Sequence, residues 1–444
     1  MELDNQNSEI IIDEKKLQKM NEIFEKVLKE ITPDRQQVLD EIEVFLRRLR
    51  EVLKKNDILA EVCLGGSVAK NTNLTDSYDC DIFIRFDYQK YRDQDISLIL
   101  AEALKPFNSE LVHGSRDYFQ LEDFIDYEIV PVLKVDTPDL AQNTTDMSPF
   151  HVKWVLKYPE MSDEIRLTKR FFQSQKIYGA ESYIGGFSGH VLDIITIYYN
   201  GFLNLLKASQ SWEDKEVIDP ENYFKGFALQ ELNKSKIESP LIVVDPVFPE
   251  RNASAALSKE KFEKFIKSAK KFLNNPSAEF FEIEELSPKL LFEKYGEELI
   301  VFSLTPLEGK RDVVGAKMMK IFKMFNNQIN FYDFEIVFSD WYWNKKDKAL
   351  LWFATKKKKL LPLQKRIGPP LSDEENVEIF KKKHEKTFIE DNRICVYIPR
   401  KYSELIKLMK DLKRDPEVLE KVKKIELIDP KKVLENNNSS KKTK

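Results

Sequence analysis

Apolar residues recur at helical spacing near the start of the chain. Leu17, Met20, Ile23, Phe24, Val27, Leu28 and Ile31 fall on one face of a predicted helix. Thr32-Pro33-Asp34 ends it and opens another, since proline suits a first helical turn. Val38, Leu39, Ile42, Phe45, Leu46, Leu49, Val52 and Leu53 form the buried stripe of this second helix, which stops at Asn56-Asp57. Strand-like runs follow at 59–64, 82–86, 117–121 and 126–135, with a helix over 96–104. They predict a mixed sheet with helices that ends near residue 140. Beyond it lie a helix over 165–176, one long apolar helix over 188–206 and a strand at 241–244. A further helix is capped by Ser258 and runs to about 273. From residue 280 the pattern changes. A strand at 299–304, a helix at 313–325 and strands at 332–342 and 349–355 come first. A capping box, Ser372-Asp373-Glu374-Glu375, then opens a helix to about 386, and a strand follows at 394–399. That order is β-α-β-β-α-β, the split-βαβ or ferredoxin-like arrangement. Two short helices follow, and the polar stretch 436–444 is expected to be disordered.

Composition narrows the classes. At 444 residues and 42% hydrophobic the chain can build more than one core. Its net charge of −4 excludes a globally basic nucleic-acid binder, so any RNA contact must come from local patches. Cys63, Cys80 and Cys395 are too scattered for a disulfide framework or a zinc site and suit a reducing cytosol. The polar, acidic start is no signal peptide, and no apolar run approaches the ~18 residues of a membrane span. A cytoplasmic protein with no membrane partner is expected.

Candidate chemistry concentrates between Leu64 and Ile84. Gly65, Gly66 and Ser67 open a helix-start turn in which backbone N–H groups can approach phosphate oxygens. A polar loop from Asn71 to Tyr78 leads to Asp79-Cys80-Asp81 at the mouth of the apolar run Ile82-Phe83-Ile84. In a strand, Asp79 and Asp81 share a face, roughly 6.5–7 Å apart. Two such charges repel unless a cation sits between them, and Mg²⁺ carrying a nucleotide triphosphate is the simplest occupant. Gly-Ser, a short loop, then acid-x-acid-hydrophobic resembles the nucleotidyltransferase superfamily that includes DNA polymerase beta. The resemblance implies a third carboxylate on a neighbouring strand. Glu128, in Asp126-Tyr127-Glu128-Ile129-Val130-Pro131, stands at that place, where the family usually has Asp, and Asp126 is the fallback on the same face.

Other residues carry two readings each. Lys169 and Lys176, seven apart and followed by Tyr178, either meet a triphosphate or form an ordinary basic face. His151, after Pro149-Phe150, either donates to a phosphate or packs, and His190 reads as structural. Arg251 either presents a fork to phosphate or base, or is pinned by a carboxylate such as Asp245. Lys356-Lys357-Lys358-Lys359 and Lys365-Arg366 lie close after Trp341, Tyr342, Trp343 and Trp352, a grouping that suits stacked RNA bases or a solvated face.

Longer stretches sharpen the resemblance. Ser148-Pro149-Phe150-His151-Val152-Lys153-Trp154, Ile177-Tyr178-Gly179-Ala180-Glu181, Gly186-Phe187-Ser188-Gly189, Val244-Asp245-Pro246-Val247 with Arg251-Asn252, and Gly368-Pro369 with Asp373-Glu374 are similar to the archaeal, class I, CCA-adding enzymes (tRNA nucleotidyltransferases). They occur in family order over nearly the whole chain; the stretch from about Ile394 matches poorly. The resemblance implies an α+β multidomain protein: a polymerase-beta-like nucleotidyltransferase head (1–140), a helical neck that selects nucleotide (141–275), and a body and tail that bind tRNA (276–435). It implies two Mg²⁺ ions on Asp79, Asp81 and Glu128, and ATP and CTP as substrates. Gly66, Ser67, Lys70, His151, Lys169 and Tyr178 would hold triphosphate and sugar, and Arg251 would help read the base. Lys70 stands where the family has Arg, so a bidentate contact is missing. The tRNA acceptor and TΨC arms are the implied partner, and a homodimer has family precedent. Two other readings share these features: a poly(A)-type RNA nucleotidyltransferase, and a catalytically silent RNA-binding relative suggested by Glu128.

Overall fold

A computed structural model describes residues 12–76, 79–122, 125–283 and 288–429. They divide into two compact units that meet in sequence at 284/285. Part of the loop expected over 71–78 and all of the stretch 436–444 lie outside the described residues.

In the first unit a five-stranded sheet is ordered β1-β2-β5-β4-β3. Its strands are β1 (Ala60–Leu64), β2 (Cys80–Asp87), β3 (Glu110–Val112), β4 (Tyr118–Glu122) and β5 (Asp126–Lys134). Only β2 and β5 run parallel; the other neighbours are antiparallel. Cys80, Ile82, Phe83, Ile84 and Phe86 of β2 are all buried, as a central strand covered on both faces requires. Helix Arg35–Lys55 is started by Asp34, whose carboxylate accepts from the N–H groups of Gln36 and Gln37. Its stripe of Val38, Ile42, Phe45, Leu46, Leu49 and Leu53 packs against the sheet together with helix Ile96–Leu104. β3 has no counterpart in the expected elements. It is three residues long, too short for an alternation to register.

A second, helical core lies beside this sheet in the same unit. Helix Glu14–Ile31 contributes Met20, Val27 and Ile31 to it rather than to the sheet. Phe171, Phe172, Phe187, Phe202, Phe265 and Phe272 are fully buried there. A small parallel pair, β6 (Glu216–Ile218) and β7 (Leu241–Val243), completes the unit. The single long helix expected over 188–206 is two helices, Gly189–Tyr198 and Phe202–Ala208. Asn200 (φ 54°) and Gly201 (φ 115°) turn left-handed between them. A Cβ on Gly201 would lie 2.9 Å from Glu164 Oε2, the atom that accepts from the Phe202 N–H at 2.7 Å. Glycine is therefore required at this corner. Helix Ser162–Ser174 ends before Lys176, so Lys169 and Lys176 do not share a helical face.

The second unit holds two sheets. One has the order β14-β8-β10-β9, from β8 (Leu299–Pro306), β9 (Ile336–Trp343), β10 (Ala349–Thr355) and β14 (Val422–Ile428), with every neighbour antiparallel. The other has the order β11-β13-β12, from β11 (Leu363–Pro370), β12 (Thr387–Glu390) and β13 (Arg393–Pro399). This corrects the expected sequence of elements. The strand at 394–399 belongs to the three-stranded sheet, and the fourth strand of the larger sheet is β14. Helix Arg311–Phe331 extends to where a strand was expected at 332. Helix Glu374–Lys383 is capped by Asp373, not Ser372, and ends three residues early. The tryptophans are also mostly structural: Trp352 is 1% exposed, and Trp341 and Trp343 pack against the sheet's core. Of that aromatic group only Tyr342 stands exposed.

Candidate active site

The turn after β1 is shaped around Asp81. The Gly65 N–H donates to the Asp81 carbonyl at 2.8 Å. Gly66 adopts φ +53°, and a Cβ there would lie 1.6 Å from Asp81 Oδ2. A Cβ on Gly65 would strike the Phe83 ring at 2.5 Å. Both glycines are thus fixed by what occupies the space beside them. Helix Gly66–Ala69 is a single turn, so any anion contact here comes from individual N–H groups and not from a long helix dipole. Gly66→Ala is expected to cut activity at least ~100-fold, because the new methyl and the Asp81 carboxylate cannot share the space. Steady-state incorporation kinetics with a folded-state check by circular dichroism read this.

Asp81 on β2 is directly paired with Glu128 on β5, and Glu128 with Gln120 on β4. Gln120 Nε2 donates to Glu128 Oε1 at 2.6 Å. Asp79 is exposed and stands one residue before β2. Asp126 is exposed opposite Glu122 and does not line the cleft. A cleft of about 380 Å³ is lined by Gly66, Lys70, Asp81, Glu128, Arg116, Ser148, His151 and His190, among others. The Asp81 residue is only partly shielded overall, yet its carboxyl is pushed up to about 7. Burial is the main cause and the neighbouring Glu128 charge the next; Lys70 opposes them. Carboxylates crowded in this way favour a divalent cation, and the glycine cradle leaves Asp81 Oδ2 unobstructed by a side chain. The residues present therefore fit metal binding. Gln120→Leu is expected to lower kcat about 10-fold and raise the Mg²⁺ concentration needed, with nucleotide KM unchanged, since Gln120 only orients Glu128. A Mg²⁺ titration of the rate checks it.

Two buried carboxylates organise the cations around this cleft. Asp193 accepts from Lys70 Nζ at 2.5 Å and pairs with Lys169 Nζ at 3.4 Å. Burial alone would raise the Asp193 carboxyl, but Lys169 and Lys70 hold it below its ordinary value. Lys169 also donates to Thr72 Oγ1 at 2.8 Å and to the Thr72 carbonyl at 3.2 Å. Burial lowers its ammonium to about 8. Lys70 reaches the cleft, whereas Lys169 sits behind it. Asp245 accepts from His151 Nε2 at 3.0 and 3.1 Å, from Arg251 Nη1 at 2.6 Å and from the Val247 N–H at 2.9 Å. Burial would raise Asp245 too; the His151 hydrogen bond and charge outweigh it and hold the carboxyl well below the usual range. Arg251 is thus pinned by Asp245, the alternative its position allowed.

Of the residues expected to act together, the structure brings Gly66, Lys70, Asp81, Glu128 and His151 to one cleft. Ser67 is half-buried in the glycine turn. Tyr178 pairs with Phe187, and its hydroxyl abuts Gly189, where a Cβ would lie 2.9 Å away. Ser67, Asp79, Lys169, Tyr178 and Arg251 are not among the residues lining the cleft. Arg116, Gln120, Asp193 and the cleft position of His190 were not foreseen. Arg116 pairs with buried Asp146 and donates to the Pro131 carbonyl at 3.2 Å, which holds the cleft wall. A lone carboxylate in the apolar run of helix Gly189–Tyr198 was the available signal for Asp193.

The nucleotidyltransferase domain family matches residues 46–143, the tRNA nucleotidyltransferase second-domain family 163–282, and the CCA-adding enzyme C-terminal-domain family 300–423. The chain is 36% identical over 364 residues to the CCA-adding enzyme of Nanoarchaeum equitans, covering 79% of this chain and 87% of that one. It is 33% identical over 411 residues to the CCA-adding enzyme of Methanocaldococcus jannaschii, covering 88% and 90%. A CCA-adding enzyme of Methanococcus maripaludis is 30% identical over 416 residues, covering 88% and 91%. With three family domains in order and identity above 30% across most of both chains, this chain belongs to the archaeal CCA-adding enzymes.

Proposed function

We propose that this protein adds C, C and A, without a template, to the 3′ end of tRNA from CTP and ATP, using Asp79, Asp81 and Glu128 to hold two Mg²⁺ ions. The observation that carries the site assignment is the register of Asp81 with Glu128 on parallel strands beside the Gly66 turn. When bound, Mg²⁺ supplies charge neutralisation at the attacking and leaving oxygens. In the transfer, the tRNA 3′-oxygen forms a bond to the α-phosphorus, and the bond to the departing pyrophosphate breaks. Glu128, oriented by Gln120, takes up the hydroxyl proton. Lys70, fixed by Asp193, and His151, fixed by Asp245, bind triphosphate oxygens. Lys169 and Tyr178 support that wall from behind, and Ser67 contributes from the turn. Arg251 exchanges its contact with Asp245 for the incoming base, and a wrong base leaves polar groups there unsatisfied.

In this reading residues 1–140 are the catalytic head, 141–275 a helical neck that selects nucleotide, and 276–435 the body and tail that bind the acceptor and TΨC arms. The sheet order β14-β8-β10-β9 supports a ferredoxin-like body. A homodimer is expected from the family, and sedimentation reads it. The deciding experiment incubates the protein with a tRNA lacking its terminal CCA and with each nucleotide in turn. The product should gain C, C and A and then stop. Continued addition of A would overturn the proposal in favour of a poly(A)-type activity.

A further inference from the structure

We propose that His151, His190 and Asp245 form a site for one transition-metal cation of the zinc class, separate from the carboxylates of Asp81 and Glu128. One ligand atom from each of the three residues lies within 4.8 Å of the other two. His151 Nε2 is 3.0 Å and His190 Nε2 3.9 Å from Asp245 Oδ2, and the imidazole centroids are 4.1 Å apart. Donor atoms in a tetrahedral zinc site, with bonds of about 2.0–2.2 Å, stand roughly 3.3–3.6 Å from one another. The two spacings to Asp245 Oδ2 lie either side of that value; the rings, 4.1 Å apart at their centroids, must open by about 1 Å to complete three corners and leave the fourth open.

His190 supplies an independent observation. Both its ring nitrogens are buried and have no hydrogen-bond partner. An imidazole orphaned at both ends is costly to keep in a folded protein unless something meets it. Two imidazoles and one carboxylate are a borderline donor set that suits Zn²⁺, whereas Mg²⁺ prefers an all-oxygen octahedral shell. Local charge permits it. Lys70, in the same cleft, is already paired with Asp193. The cation to be displaced is Arg251, whose side chain is 35% exposed.

The consequence for catalysis rests on the reading above; the site itself does not. Zinc seated here takes His151 Nε2 and turns the ring out of the orientation in which Asp245 holds it for the triphosphate, whereas Arg251 leaves Asp245 whether zinc or nucleotide binds. Zinc and nucleotide then exclude each other.

The test measures Zn²⁺ binding to the full chain by competition with a chromophoric chelator, for the unaltered protein, Asp81→Asn and His190→Phe. One equivalent should bind to the first two, and His190→Phe should bind at least ~10-fold more weakly. Co²⁺ in the unaltered protein should give the intense visible bands of a low-coordinate nitrogen and oxygen site, a readout that needs no variant to fold. Zinc binding lost in Asp81→Asn and kept in His190→Phe would overturn the proposal. So would Co²⁺ bands of only a six-coordinate oxygen shell. With Mg²⁺ saturating, Zn²⁺ should raise the KM for CTP and leave kcat alone. If zinc binds through His190 and the KM does not move, the metal site stands and the nucleotide role of His151 falls.

Discussion

Asp81→Asn is expected to lower kcat for nucleotide incorporation at least ~1000-fold while raising the melting temperature of the metal-free protein at pH 8. The activity loss follows from its place: Asp81 is paired with Glu128 and fills the space that Gly66 leaves open. The stability gain follows from its titration. Burial first, then the Glu128 charge, pushes its carboxyl up to about 7 in the folded chain. An unfolded Asp titrates near ~3.9. A raised folded value means that the contribution to stability is complete below the unfolded value and is lost as pH climbs through the folded one. At pH 8 the charge is fully present and its cost fully felt. Asparagine keeps the shape and removes that cost, so the difference in melting temperature should shrink as pH falls toward 4. Saturating Mg²⁺ should reverse the order, stabilising the unaltered protein more than the variant. Melting curves at pH 5 and pH 8, with and without Mg²⁺, read all of this. Equal melting temperatures at pH 8 without Mg²⁺ would contradict the strained carboxylate.

Asp193→Asn should destabilise the first unit by about 3–5 kcal/mol, the cost of breaking a buried pair and leaving charge behind. Its carboxylate is fully buried and carries Lys70 at 2.5 Å and Lys169 at 3.4 Å. Without it, Lys169 keeps Thr72 but loses its counter-charge, and Lys70 loses what holds it in the cleft. Because the Asp193 carboxyl sits below its ordinary value, the stability it contributes is present above about pH 4 and disappears as pH falls through the folded value. The variant should therefore resemble the unaltered protein more closely in acid. Urea unfolding at pH 7 and in acid well below pH 4 measures the difference; a penalty that does not shrink there would contradict the charge pairing.

What the sequence made legible was local. Asp81 and the apolar run behind it specify a buried central strand, and the Gly-Ser turn before it needs only neighbouring residues to be read. Glu128 could be placed only through the resemblance, which implies a third carboxylate on a neighbouring strand, here three residues before Pro131. The supporting groups were hidden by distance along the chain. Lys70 and Asp193 are 123 residues apart, and His151 and Asp245 are 94 apart. Gln120 and Glu128 are only 8 apart, but their contact depends on the β4/β5 register, which no local pattern sets. Strand β14 was missed because it is an edge strand in which Lys423 and Lys424 break the apolar alternation. Asn200-Gly201 was overridden by the apolar residues on both sides, although the pair is an ordinary helix stop. Trp352 misled for the opposite reason: basic neighbours suggested a surface, while every residue of β10 is buried.

The central claim is that these acids share divalent cations beside the nucleotide. It is tested most directly by counting Mn²⁺ bound in the presence of a non-hydrolysable CTP analogue, using electron paramagnetic resonance on the full chain. The account predicts two ions per site in the unaltered protein and their loss when Asp81→Asn and Glu128→Gln are combined. The same number of ions bound with equal affinity by that double variant would contradict it.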